Sequence, residues 1–154
     1  MYHGCAPRAT GTGLTAFLLF CKAFLLPVLF AAAQERGPRD AVHGLAVRKA
    51  RGPQQGKLRS LGLDRWAEAK LVFISDACGV MKPAPEIFRL AQAAAGGGPC
   101  VFVGDSCSQD IAGASACGWQ TIWLSRTGEE PTAAPTLTAH AEQDLLPCLQ
   151  ALAE

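Results

Sequence analysis

The chain has 154 residues, of which 49% are hydrophobic and 18% are charged, and its formal net charge at pH 7 is +1. This length suits one domain, with or without a leader, and the hydrophobic content is sufficient for a globular core. A charge so close to zero, with no basic stripe interleaved with aromatic residues, argues against nucleic acid as a partner.

The seven cysteines are odd in number, and they form no Cys-x-x-Cys pair and no Cys/His cluster at zinc spacing. Cys78, Cys100 and Cys117 lie in or beside apolar stretches, where a free cysteine behaves as a small hydrophobic residue. This usage favours a reducing compartment, so we expect a cytoplasmic location.

The N-terminal residues 1–40 are expected to be an apolar leader or an atypical segment that precedes the domain formed by residues 41–154. The run from Leu14 to Ala33 is almost continuously apolar. Small residues at its end fit a signal-peptide cleavage site, so secretion or membrane attachment through this run is one interpretation. As a spanning helix, however, the run carries Lys22 near its middle, which costs about 2.5–3.5 kcal/mol.

Two other interpretations of the apolar run stay open. Phe24–Phe30 could pack against the domain core as a strand or helix, or the segment could be an alternative start that is unrelated to the fold.

The first half of the domain shows loop, strand and helix signals in turn. Gln34–His43 is a linker by composition, and Leu45–Val47 fits a short strand. Pro53–Leu61 is predicted to be a short helix, because proline suits its first turn and Gly62 its end. Leu71–Ile74 is fully apolar, as expected of a buried parallel strand.

The second half of the domain alternates helices with strands. Helices are predicted at Pro85–Ala95, from an N-cap at Ser108 to Cys117, and at Glu142–Ala153 with an interruption or restart at Pro147. Strands are predicted at Cys100–Val103 and Thr121–Leu124, and Gly128–Pro135 is a turn-rich loop. The apolar face of the first of these helices consists of Ile87, Leu90, Ala91 and Ala94.

This alternation predicts an α/β fold, a three-layer Rossmann-like parallel sheet. Sites in such sheets lie beyond the carboxyl ends of the strands. Four polar residues fall at those ends, namely Ser75, Asp76, Asp105 and Ser125.

The strongest chemical signal is the strand end Val101–Ser106, followed by Asp110 in the next helical turn. Two carboxylates at the end of a buried strand suit Mg²⁺, which prefers oxygen ligands and keeps several waters. Lys82 precedes a proline-rich helix start upstream. A hard cation beside a lysine is the electrostatic arrangement that a phosphoryl group requires.

These motifs, in this order, resemble the haloacid dehalogenase (HAD) superfamily, most of whose members are Mg²⁺-dependent phosphatases. The resemblance covers roughly Lys57 to Leu124. Its matching segments are Ser75–Phe88, Val103–Ser106, Asp110–Ala114 and Gly118–Leu124.

The resemblance implies a role for each residue of the motifs. Lys82 would be catalytic and balance the charge of the phosphoryl group of a small phosphorylated molecule. Asp105 would ligate Mg²⁺, and Asp110 would support the metal through water or orient Asp105. Ser106 is a weaker candidate for a phosphate contact, and capping of the following helix is its other interpretation.

Two motifs of the superfamily are missing. Its nucleophile and general acid/base form an Asp-x-Asp after an apolar strand, and this chain contains no Asp-x-Asp. Nor does a Ser or Thr follow Leu45–Val47; Arg48 or Lys49 could contact a phosphate there, or could belong to a solvated turn.

We therefore expect a HAD-like fold that is incomplete, in which the apolar N-terminal run, a partner, or nothing fills the place of the first strand. Little phosphatase activity is expected without the nucleophile, and the alternative is a truncated variant or pseudoenzyme that acts as a binding module. The cap that sets substrate choice in the superfamily has no recognisable counterpart.

Overall fold

The protein is described here by a computed structural model that covers residues 15–19, 43–47, 72–74, 78–125 and 130–152. Within these ranges, six strands form one parallel sheet. They are β1 (Thr15–Leu19), β2 (His43–Val47), β3 (Val72–Ile74), β4 (Cys100–Gly104), β5 (Gln120–Leu124) and β6 (Leu137–Ala139). Their order in the sheet is β3-β2-β1-β4-β5-β6.

Strand β1 lies at the centre of this sheet, between β2 and β4. Phe17 is level with Gly44 on one side and with Phe102 on the other. Thr15–Leu19, which belong to the apolar N-terminal run, therefore occupy the central position for which the sequence alone left several interpretations. The pattern of this run alone cannot reveal a strand, because a central parallel strand is apolar on both faces. The domain boundary at residue 40 stays a prediction, and Phe24–Phe30 lies outside the described residues.

Three helices are present in the described part of the chain: α1 (Pro85–Ala94), α2 (Ala112–Ala116) and α3 (Leu145–Ala151). A π-helical turn at Cys107–Ile111 leads into α2, and a 3₁₀ turn at Glu142–Asp144 leads into α3. Pro147 lies in the first turn of α3, where a missing N–H is tolerated because that group has no partner within the helix.

Two apolar clusters cover opposite faces of the sheet. On one face Phe88 of α1 packs against Phe102 and Trp119, with ring centroids 5.3 and 5.7 Å away. On the other face Leu145 of α3 packs with Val101, Val103, Ile122 and Leu124. Helices thus lie on both sides of the parallel sheet, and the predicted three-layer α/β fold is confirmed.

The buried face of α1 differs from the predicted one. Ile87, Phe88 and Ala91 are buried, whereas Leu90 is 47% exposed and Ala94 is also exposed. The predicted face was therefore wrong at these two positions. The helix is rotated so that Phe88, which is larger than Leu90, enters the core and packs against the rings of Phe102 and Trp119.

Element boundaries were predicted less well than the elements themselves. The helical segment after β4 begins at Cys107 with Ser106 in the N-cap position, so the predicted N-cap at Ser108 is wrong. Strand β6 was not predicted, because three residues are too few to show a strand period. The helix predicted at Pro53–Leu61 lies outside the described residues.

The strand order reverses between β1 and β4, since the chain proceeds outward from β1 to β3 and then returns to pair β4 with β1. Ligands of such sheets bind in the crevice at this reversal, beyond the carboxyl ends of the strands. Among the described helices, none has the length and apolarity needed to cross a membrane.

Candidate functional site

The carboxyl end of β4 is a tightly packed corner. All five residues of this strand are buried, and the last is Gly104. A Cβ atom on Gly104 would lie 2.5 Å from Cβ of Asp110 and 2.7 Å from its Oδ2. Glycine is therefore required here, because the Asp110 side chain folds back against the strand end.

Both oxygens of Asp110 are engaged within the protein. Its Oδ1 lies 2.6 Å from Nζ of Lys82, and its Oδ2 accepts a hydrogen bond of 3.1 Å from the backbone N–H of Ser106. The second contact is similar to the reciprocal bond of a capping box, in which an acidic side chain of the first turn accepts from the backbone N–H of the N-cap residue. Asp110 thus links the strand end, the π-helical turn and Lys82.

Lys82 is a buried ammonium group that faces Asp110. Both side chains of this pair are 1% exposed. The Nζ atom also lies 5.4 Å from the centroid of the Phe102 ring, within the range of a cation–π contact. Burial raises the pKa of the Asp110 carboxyl group, and the Lys82 ammonium and the Ser106 N–H oppose that shift by favouring the carboxylate.

Asp105 is the carboxylate of the corner that stays available to a ligand. Its side chain is half-buried, and within the described residues it accepts no hydrogen bond. Its charge is close enough to contribute to the raised pKa of Asp110. Its backbone carbonyl oxygen accepts a hydrogen bond of 3.2 Å from Nε1 of Trp123 on β5.

The donor set of the corner suits a hard cation with few protein ligands. No group of three or more His, Cys, Asp or Glu side chains that could hold a metal ion occurs in the described part of the chain. Mg²⁺ is commonly held by one or two carboxylates together with waters and phosphate oxygens. Asp105 fits such a role as a direct ligand, whereas Asp110 would act indirectly because Lys82 and Ser106 occupy its oxygens.

Of the other predicted site residues, some lie in the described part of the chain and some lie outside it. Ser106 occupies the N-cap position, but its side chain makes no cap hydrogen bond. Ser125 is buried beyond β5, and its N–H donates to the carbonyl oxygen of Ala139 at 2.9 Å. Ser75, Asp76 and Arg48 lie outside the described residues.

The residues that follow β1 in the sequence occupy the place where the superfamily has its nucleophile. Leu18 of β1 is level with Val103 of β4, so the end of β1 lies beside the end of β4, which Asp105 directly follows. In the superfamily pattern two aspartates follow the strand at the position of β1. Here the sequence continues with Phe20, Cys21 and Lys22, which include no carboxylate.

Sequence reasoning missed two features that hold the corner together. Trp123 lies in the predicted strand Thr121–Leu124, is 3% exposed, and donates its indole N–H to the carbonyl oxygen of Asp105. The thiol of Cys107 makes two hydrogen bonds to the backbone of Ala133, which lies in the loop before β6. Neither contact has a local sequence signal, because the partners lie 18 and 26 residues apart.

Comparison with known proteins supports the resemblance seen in the motifs. The sequence profile of the HAD-hydrolase-like family matches residues 80–151. A phosphoserine phosphatase from Thermus thermophilus is 38% identical over 88 residues, which cover 54% of this chain and 34% of that protein. Over residues 80–151 the chain is thus similar to the C-terminal part of a HAD-like hydrolase core domain, in agreement with its motifs.

Solved structures agree with this assignment. A HAD phosphatase from Thermococcus onnurineus superposes with a TM-score of 0.68 at 26% identity, covering 80% of this chain and 55% of that one. A 2-haloacid dehalogenase from Pseudomonas syringae pv. Tomato superposes with a TM-score of 0.65 at 25% identity, covering 82% and 54%. The chain therefore spans about a third of the curated phosphatase and just over half of these solved chains.

Proposed function

We propose that this chain is a HAD-like phosphohydrolase of the kind that acts on small phosphomonoesters with Mg²⁺, and that it is catalytically impaired. The observation that supports the family chemistry is the corner after β4. There a half-buried Asp105 lies beside the buried pair of Lys82 and Asp110, next to the strand reversal where such folds bind ligands.

Each residue of the corner has a part in this proposal. Asp105 would hold Mg²⁺, which would supply electrostatic stabilisation of the charge on the phosphoryl group. Asp110 would keep the turn after β4 in place and direct Lys82, whose positive charge would favour a bound phosphate. Ser106 would present its half-buried side chain at the same turn.

Impairment is proposed because this chain has no Asp-x-Asp to supply the nucleophile and the general acid/base. Loss of a covalent route commonly lowers a rate by several orders of magnitude, because the remaining groups only bind and orient the substrate.

Assay of the purified full chain with an aryl phosphate and Mg²⁺ tests the proposal. We expect no turnover above that of the matched Asp105→Asn variant. Turnover by the wild-type chain that disappears in Asp105→Asn would contradict the impairment and establish an active phosphatase.

A binding module, as a truncated variant or pseudoenzyme, is the second candidate, and the buried Lys82–Asp110 pair favours it because the pair is self-sufficient without a substrate. Mg²⁺ or phosphate would then raise the melting temperature without any turnover. A melting temperature that neither ligand changes, in a folded and inactive chain, would exclude this candidate.

A further inference from the structure

We propose that Trp123 is a positioning residue for Asp105: its indole N–H fixes the main chain at the end of β4 and so directs the Asp105 carboxylate toward a divalent cation. This inference rests on the metal role proposed for Asp105. It assigns a function to a residue of the neighbouring strand.

The pairing of β4 with β5 places Trp123 next to the end of β4. Gly104 and Trp123 are level in this pair, so the indole starts beside the last residue of β4. From there its Nε1 donates to the carbonyl oxygen of Asp105 at 3.2 Å. The indole is 3% exposed, and its neighbours Cys107 and Ile111 belong to the first turn after Asp105.

The carbonyl group of Asp105 needs such a donor. It follows the last residue of β4, and the backbone bonds of the π-helical turn begin one residue later, at the carbonyl oxygen of Ser106. A partly buried carbonyl without a partner is unfavourable, so the chain would otherwise rotate to find one. Rotation of this peptide would change the direction of the Asp105 side chain, because both share the same Cα atom.

A second contact holds the turn at Cys107. The thiol of Cys107 donates to the carbonyl oxygen of Ala133 at 3.4 Å and accepts from the N–H of Ala133 at 3.3 Å. Ala133 packs in the same cluster as Trp123. The main chain on both sides of Ser106 is therefore fixed from outside the turn, while the Asp105 carboxylate itself stays unbonded within the described residues.

Binding of Mn²⁺, measured from the electron paramagnetic resonance signal of the free ion, tests the inference without relying on activity, since carboxylate sites that suit Mg²⁺ also suit Mn²⁺. We expect Trp123→Phe to weaken binding about threefold to tenfold, the effect of one hydrogen bond. Trp119→Phe is the matched control. Trp119 is also buried and donates through its indole, but to Gln92 rather than to the corner. We expect its affinity to stay within about twofold of the wild type, the scatter expected for a site that the mutation does not touch.

A folding defect is separated from a positioning defect by a second variant. Benzothienylalanine at position 123 keeps the fused ring but lacks the N–H, and it should weaken Mn²⁺ binding as Trp123→Phe does. Unchanged affinity in both variants at position 123, or an equal loss in Trp119→Phe, would overturn the inference. If the folded wild type binds no Mn²⁺ at all, the proposed metal role of Asp105 fails together with the inference. If the wild type binds and the variants at position 123 bind equally well, the inference alone fails.

Discussion

Single residues at the end of β4 show how electrostatics and packing constrain each other. Lys82 and Asp110 are both buried, and each is the principal charged partner of the other. Loss of one member leaves an unpaired buried charge, which is far more costly than loss of the whole pair.

We therefore predict that Lys82→Met and Asp110→Asn each lower the free energy of unfolding by about 3–5 kcal/mol. The double variant should lose much less than the sum of the two, because no uncompensated charge remains. Urea unfolding of all four proteins measures the coupling. Additive losses would mean that the two groups do not depend on each other.

The buried thiol of Cys100 makes the free energy of unfolding depend on pH. Burial raises the pKa of this thiol to about 11, whereas the pKa of an unfolded thiol is ~8.5. Between these values the folded state holds the proton and the unfolded state has lost it, so stability falls as the pH rises through this window. Below ~8.5 the contribution is fully present, and above about 11 it is gone.

The difference in unfolding free energy between wild type and Cys100→Ala should thus shrink from pH 8 to pH 11. Chemical denaturation at several pH values measures this difference. Groups that titrate equally in both proteins contribute nothing to it, because their contributions cancel when one free energy is subtracted from the other. A difference that does not change with pH would show that the thiol titrates normally.

At the scale of elements, the helices depend on close approaches that local propensity does not reveal. Gly113 lies in α2, where a Cβ atom would be 2.5 Å from Cε2 of Phe88 and 2.8 Å from the carbonyl oxygen of Pro83. The α2 helix therefore contacts α1 and the segment that carries Lys82 through a glycine.

We predict that Gly113→Ala lowers stability by about 1–3 kcal/mol, because overpacking outweighs the ~1 kcal/mol that alanine gains in a helix. Gly98→Ala is the control. A Cβ atom there meets nothing within 4 Å, so this variant should be neutral or slightly stabilising. Thermal unfolding of both variants compares them, and equal behaviour would contradict the tight contact.

The elements also show what periodicity can predict. Val72–Ile74, Pro85–Ala94 and Cys100–Gly104 were predicted nearly in full, because each is long or apolar enough and is bounded by Pro, Gly or Asp. Strand β6 was missed, and the buried face of α1 was wrong at Leu90. The rotation of a helix depends on what it packs against, which no local pattern contains.

At the scale of the whole molecule, the position of β1 decides whether the sheet is continuous. This strand pairs with β2 and with β4, so it joins the two halves of the sheet. We predict that Phe17→Pro abolishes the cooperative unfolding transition, because proline removes a ladder hydrogen bond from a central strand. Phe17→Leu, which leaves the backbone donors intact, should retain the transition.

Circular dichroism during urea unfolding distinguishes the two variants. If residues 15–19 were part of a leader outside the domain, proline at position 17 would have no effect. That result would support the prediction that residues 1–40 are a segment separate from the domain.

The α/β fold class and the candidate residues of the corner after β4 were predicted from the amino-acid sequence. Strand and helix periods, together with the Val103–Ser106 and Lys82 motifs, are local patterns that can be read residue by residue. By contrast, the place of Thr15–Leu19 in the sheet and the pairing of Lys82 with Asp110, 28 residues away, are visible in the three-dimensional structure alone. Likewise, only packing brings Trp123 to the Asp105 carbonyl. The physical reason is that pairing partners in a parallel sheet are distant in sequence, so their contacts depend on strand order and register.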